Sequence, residues 1–154
     1  MNCNEFKTIR LMSHAAKLLL RIIMERIKYK VEAEISENQN GFRKGKGTRE
    51  GIFNMRTIGE KYVEKQKDVY ICFIDYEKAF DRVNHEAMLK CLEDIDVDGK
   101  DLQFISYMYW NQTANVRTQN GLSENINIKR GVRQGCILSP VLFNLYTDII
   151  FRSI

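Results

Sequence analysis

Residues 69–85 read VYICFIDYEKAFDRVNH, and the fold turns on them. Five of the first six are apolar or aromatic, and Asp75 sits where that run ends. A short apolar run closed by a polar residue predicts a buried strand. Such a strand delivers a carboxylate at its C-terminal edge, at the rim of a core where a metal or a phosphate can reach it. Taken alone, Asp75 is better read as a strand-end aspartate capping a turn. Asn84 and His85 stand at the mouth of a helix expected near residues 85–94. Asp81, Asn84 and His85 are read as holding this corner by capping and hydrogen bonding.

Upstream, Met12, Ala15, Ala16, Leu19, Ile22, Ile23 and Ile27 recur at helical spacing. They predict an amphipathic helix over about residues 11–30, with Lys17, Arg21, Arg26, Lys28 and Lys30 on its other faces. Residues 37–47 read as loop, and the stretch from Gly41 to Arg49 holds three glycines and four cations in nine residues. That composition brings backbone N–H groups and positive charge close to phosphates. It is not a nucleotide-binding P-loop, because Gly47 follows Lys46 where Ser or Thr is required and no apolar strand precedes it. Thr48 reads as the N-cap of a helix to about Lys65, with Ile52, Met55, Gly59, Tyr62 and Val63 inward.

Downstream, Leu102, Ile105, Met108 and Tyr109 share one face of a helix expected over about residues 100–110. Asn120-Gly121 lies between two alternating runs, which predicts a hairpin. Ala114, Val116 and Thr118 share one face before the turn, and Ile126 and Ile128 share one after it. A loop from Arg130 then leads to Ser139 as N-cap and Pro140 at the first position of a helix that runs to the end of the sequence.

A chain of 154 residues is one domain or part of one. An apolar fraction of 44% and a single proline argue against disorder. Charge is uneven: residues 1–68 hold 15 Lys and Arg against 9 Asp and Glu, an excess of six cations, whereas residues 69–154 hold 9 against 11. A basic first half beside a mildly acidic second half suits a surface that grips polyanions next to a pocket that holds cations, though solvated helix faces account for it equally well. The four cysteines are widely spaced and accompanied by two histidines, so no zinc pattern arises. Free, mostly buried thiols and the lack of a signal peptide predict an intracellular protein of nucleus or cytoplasm, not a secreted one. The run Leu18–Ile27 is broken by Arg21, Glu25 and Arg26 and cannot span a bilayer.

Three blocks now stand in order: QNGFRKGKGT at 39–48, FIDYEKAFDRVNH at 73–85 and RGVRQGCILSP at 130–140. Together they closely resemble successive motifs of reverse transcriptases, in the version carried by non-LTR (LINE-like) retrotransposons. FKTIRLMSH at 6–14 resembles the preceding motif, so the resemblance covers essentially the whole chain. It implies an α/β (α+β) class and a partial right-hand polymerase fold, with helices on a small, mainly antiparallel sheet. Fingers would fall at about 1–66 and 86–135, and palm at about 67–85 and 136–154. The implied activity is RNA-directed DNA polymerisation: a primer 3′-hydroxyl attacks the α-phosphate of a dNTP, and two Mg2+ ions held by hard oxygen ligands assist.

By the same resemblance Asp75 is the first metal-binding, catalytic aspartate, and the backbone carbonyl of Tyr76 completes one metal site. Phe80 underlies the incoming sugar and excludes a 2′-hydroxyl, with a core phenylalanine as the alternative. Gln134 and Gly135 contact the incoming nucleotide and the templating base; glycine lets backbone approach closely, and the Gln amide both donates and accepts. Lys7 stands where relatives carry an arginine on the triphosphate, which keeps the charge and loses the planar fork. Arg43, Lys44, Lys46 and Arg49 are implied to touch the template or primer backbone. Arg130 and Arg133 have the charge to reach phosphates, but arginines are common on surfaces and little rests on them.

The family's next motif, an aromatic-x-Asp-Asp hairpin supplying the second carboxylate, is not found here. Tyr146-Thr147-Asp148-Ile149 has one Asp and falls inside the last expected helix. Thumb and first fingers hairpin are missing as well. The expectation is a truncated fingers–palm fragment that meets RNA template, DNA primer and dNTP, needs the remainder of the polymerase, and is inactive alone. A strand at 69–75 without its partners is expected to show an open edge. The alternative is a non-catalytic nucleic-acid-binding remnant using the basic first half. A phosphotransferase with Asp75 as nucleophile would want a second Asp where Glu77 stands, and is set aside.

Overall fold

A computed structural model describes residues 12–119 and 121–152. Lys7 and most of the block at 6–14 lie outside the described residues. The chain divides into two compact units, one of residues 36–77 and the other of the segments on either side.

The larger unit is helical. Helix α1 (His14–Glu34) opens at Ser13, whose hydroxyl accepts from the Ala16 N–H at 3.2 Å. Its buried stripe is Leu20, Ile23, Ile27 and Val31, whereas Leu19 and Ile22 are 43% and 57% exposed. The run Leu18–Ile23 offers two overlapping apolar stripes. The continuation through Ile27 to Val31, past the expected end of the helix, decides which one turns inward.

Helix α3 (His85–Asp94) is capped by Asn84, whose side chain accepts from the Ala87 N–H at 3.0 Å, and it buries Met88, Leu89, Cys91 and Leu92. Helix α4 (Gly99–Trp110) buries Ile105, Met108 and Tyr109, and its buried Asp101 meets Arg26 of α1 at 2.9 Å. Helix α5 (Ser139–Arg152) buries Leu142 and Leu145 and packs on α3 and α1, while α3 also packs on α4. Tyr146–Ile149 lies within α5, where Asp148 is paired with Arg152 at 2.7 Å.

Residues 113–127 form one interrupted antiparallel hairpin. Strand β1 (Thr113–Ala114) pairs with β4 (Ile126–Asn127), and β2 (Arg117–Thr118) pairs with β3 (Gly121–Leu122). Between the two ladders Ser123 donates its N–H to Val116 at 2.9 Å, and its hydroxyl accepts from the Val116 N–H at 2.9 Å. Gly121, with φ +117, opens β3 instead of centring the turn, because its ladder partner is Thr118. Asn120 lies outside the described residues.

The smaller unit holds helix α2 (Thr48–Glu64), in which Gly47 takes the cap position and Thr48 is the first helical residue. None of its residues is buried: Ile52 is 67% exposed, Phe53 66% and Val63 76%. The inward face expected for α2 is thus uncovered. Residues 69–75 also depart from expectation, since they form no strand, and Tyr70 and Phe73 are 92% and 85% exposed. A strand exists through a ladder partner that satisfies its N–H and C=O groups. Among the described residues the paired strands are those of the hairpin, and they pair with each other. Apolar patterning marks a segment that gains from burial but does not provide the surface that buries it.

Candidate active site

The motif residues of the larger unit meet at one corner. Lys78, at φ +53, feeds a 3₁₀ turn over Ala79–Arg82. Phe80 is half-buried and stacks on Phe143 of α5, with ring centroids 4.6 Å apart and planes 16° from parallel. The loop after the hairpin runs beside this turn. Val132 donates its N–H to the Phe80 carbonyl at 2.7 Å and Gly131 donates to Val83 at 2.8 Å, next to an antiparallel bridge between Asn84 and Arg130. Gly131 has φ +92, and a Cβ there would lie 2.9 Å from the Cα and carbonyl oxygen of Asp81. Glycine is required on both counts. His85, 1% exposed, places Nε2 2.9 Å from the Gly131 carbonyl. A carbonyl accepts, so Nε2 carries the proton.

Gln134 follows from this clamp. Its side-chain amide donates to the Asp81 carboxylate at 3.3 Å, which brings it beside Phe80, and Gly135 is exposed at φ +84. Arg133 turns inward instead of toward a phosphate: Nη2 donates to the Met108 carbonyl at 2.8 Å and Nε to the Gln112 side chain at 3.3 Å. The Ser139 hydroxyl donates to the Arg133 carbonyl at 2.6 Å and anchors the loop, and Ser139 is itself the first residue of α5, not the residue before it. Beneath it, burial pushes the Tyr109 phenol up to about 12, with Cys136 adding to the effect.

The remaining candidates belong to the smaller unit. Asp75 is exposed and Tyr76 is 47% exposed. Arg43 donates to the Ser36 carbonyl at 2.8 Å and lies 3.7 Å from the Glu37 carboxylate. Lys46 donates to the Glu37 carbonyl at 2.7 Å and to its carboxylate at 2.6 Å. The hydrogen bond from Lys46, then its charge and that of Arg43, hold the Glu37 carboxyl below the usual glutamate range. Lys44 and Arg49 are exposed, and neither makes an ion pair among the described residues. Among the described residues no group of three or more His, Cys, Asp or Glu side chains is placed to hold a metal. One carboxylate and one carbonyl, from Asp75 and Tyr76, do not make up the hard-oxygen set of a two-metal centre.

Three contributors had no sequence signal of their own. Gly131 sits inside the third motif block, but nothing in its spacing announces a positive φ. Phe143 reads as one more apolar residue of a helix. Glu37 reads as a loop acid, although it organises two of the four cations between Gly41 and Arg49.

Residues 2–154 match the family model described as Reverse transcriptase (RNA-dependent DNA polymerase). Among curated relatives, the Retrovirus-related Pol polyprotein from type-1 retrotransposable element R2 of Popillia japonica is 29% identical over 154 residues, 99% of this chain and 21% of the relative. The RNA-directed DNA polymerase from mobile element jockey of Drosophila funebris is 28% identical over 150 residues, 96% of this chain and 16% of the relative. The Probable RNA-directed DNA polymerase from transposon X-element of Drosophila melanogaster is 31% identical over 148 residues, 92% of this chain and 16% of the relative. The chain spans about a fifth or less of the length of these relatives. It belongs to the reverse transcriptase family, in the form carried by non-LTR retrotransposons.

Proposed function

We propose that this chain supplies the nucleotide-facing part of an RNA-directed DNA polymerase and does not polymerise by itself. The observation that carries the reading is the corner at Phe80, Asp81 and Gln134, pinned by Gly131 and backed by Phe143. Stacking on Phe143 keeps the Phe80 ring from yielding, so a 2′-hydroxyl pressed against it meets a wall; exclusion of this kind discriminates by clash. The Gln134 amide donates to Asp81, which leaves its oxygen to accept from an incoming base. Gly135 presents bare backbone beside it.

On this reading residues 1–66 and 86–135 serve as fingers, and 67–85 and 136–154 as palm. Lys44 and Arg49 meet the phosphates of an RNA template or DNA primer. Arg43 and Lys46 join them while shaping their loop through Glu37, and Lys7 meets the triphosphate. Asp75 and the Tyr76 carbonyl contribute ligands toward Mg2+, and further carboxylates must come from outside these residues. The sequence supports that requirement, because no aromatic-x-Asp-Asp stands in it.

The test is photocrosslinking of an azido-dATP to the purified chain in the presence of a primed RNA template, with the adducts mapped by mass spectrometry. Adducts at residues 80–81 and 134–135, competed by dATP and poorly by ATP, are expected. Phe80→Val is expected to let ATP compete. Adducts scattered over the surface, or equal competition by ATP in the unaltered chain, would refute the pocket.

A second reading is favoured by the exposed Lys44 and Arg49: a nucleic-acid-binding remnant without a nucleotide pocket. It requires salt-dependent duplex binding that is unchanged in Asp75→Ala, with no specific adduct.

A further inference from the structure

An open groove of about 660 Å3 lies where the start of α3, the end of α4 and the outgoing arm of the hairpin converge. Its lining includes His85, Trp110, Lys129 and Arg130, with Glu86 as the single acid among the described residues. Three features set it apart from ordinary surface. Trp110 is 51% exposed and stands edge-on to His85, with centroids 6.1 Å apart and planes at 81°. Lys129 and Arg130 are exposed neighbours at one end. The His85 ring is buried, and its Nδ1 has no hydrogen-bond partner among the described residues. Nε2 donates to Gly131, so an unprotonated Nδ1 accepts, and no donor stands beside it among the described residues. Buried polar atoms are normally satisfied, so an orphan on a ring that lines a groove points to a ligand.

We propose that this groove is a second nucleotide site, built from side chains other than the Phe80–Gln134 corner, which takes one unpaired base together with its phosphate. The base stacks on the exposed indole face, a contact that any base can make. Lys129 and Arg130 receive the phosphate and outweigh Glu86. Stacking draws the Trp110 edge away from His85, and an exocyclic amino group on the base donates to Nδ1. Adenine and cytosine carry that group, whereas thymine and uracil present a carbonyl there. The ligand is a free nucleotide or an unpaired residue of a strand; both share this chemistry.

Trp110 is the one tryptophan of the chain, so its fluorescence reports on this groove without labelling. The experiment titrates the full chain with oligo(dA), oligo(dT) and dAMP and follows quenching. Oligo(dA) is expected to quench saturably, at least threefold more tightly than oligo(dT), with affinity falling as salt rises. The double variant Lys129→Ala/Arg130→Ala is expected to weaken binding at least tenfold while its circular dichroism is unchanged. If dAMP binds as tightly as oligo(dA), the ligand is a free nucleotide; if only the oligomer quenches, it is a strand. Absence of quenching, equal binding of dA and dT, or an unaffected double variant would overturn the proposal. A Gln134→Ala chain is expected to quench normally, so failure of the polymerase pocket and failure of this groove are separate results.

Discussion

At Gly131 one methyl group is enough to disturb the site. A Cβ there sits 2.9 Å from the Asp81 backbone, and φ is +92, so Gly131→Ala meets both a clash and an unfavourable dihedral. The expected loss is about 2 kcal/mol, read as a lower midpoint in urea denaturation, in line with costs of about 1–3 kcal/mol for forced backbone conformations. A midpoint equal to that of the unaltered chain would remove the clamp from the account. Cysteine chemistry gives a second check. Cys72 is exposed, Cys91 and Cys136 are buried, and burial pushes the Cys91 thiol up, away from the reactive thiolate. Brief iodoacetamide treatment of the native chain is therefore expected to alkylate Cys72 well ahead of Cys91 and Cys136, by peptide mass. Glu37 gives a third. Its carboxyl is lowered in the folded chain, so its tie to Lys46 is intact above the ordinary glutamate range and is lost as pH falls through the lower folded value. An NMR titration of the Glu37 side-chain carbon is expected to show a midpoint below the ordinary glutamate range. Phe80 and Gln134 were singled out from their blocks, and the fold brings them to one corner. Their anchors were not, because a positive φ at Gly131 or a ring stack on Phe143 depends on which distant segments meet.

Elements were legible where the chain carries its own end signals. Asn84 before α3 and Asp98 before α4 are side-chain caps, each accepting a backbone N–H at the first turn, and those helices begin where the sequence places them. Asn84→Ala is expected to cost about 1 kcal/mol by chemical denaturation. It also probes the corner, since Asn84 bridges Arg130. The strand at 69–75 was not legible in the same way. Its pattern calls for burial, but its structure depends on a ladder partner, and no described strand provides one. Ser139 repeats the lesson on a smaller scale: its type suits a cap, yet it is the first residue of α5, and its hydroxyl reaches back to the Arg133 carbonyl at 2.6 Å. Hydrogen exchange separates the two kinds of element. Amides of residues 69–76 are expected to exchange within the dead time, while Leu92, Ile105 and Leu142, each 0% exposed and helical, persist longest. Protection of 69–76 equal to that of α3 would show a ladder that this account lacks.

For the whole molecule, the core of the larger unit and the corner it supports form from residues far apart in sequence, α1 and α5 included. The smaller unit carries the basic loop, a helix with no buried residue, and Asp75 in the irregular stretch that follows it. On the proposed reading the nucleotide-facing groups belong to the packed unit, whereas Asp75 and the cations proposed to meet phosphates belong to the unit whose helix buries none of its residues. Membership in the reverse transcriptase family was legible because three motif blocks fall in order. The state of each unit was not, because burial depends on which surfaces are available. The most direct test of the central claim is a primer-extension assay on purified residues 1–154 with a primed RNA template, dNTPs and Mg2+. The account predicts no extension, while the same preparation retains salt-dependent binding of the primed template. Metal-dependent incorporation of dNTPs that disappears in Asp75→Ala would contradict it.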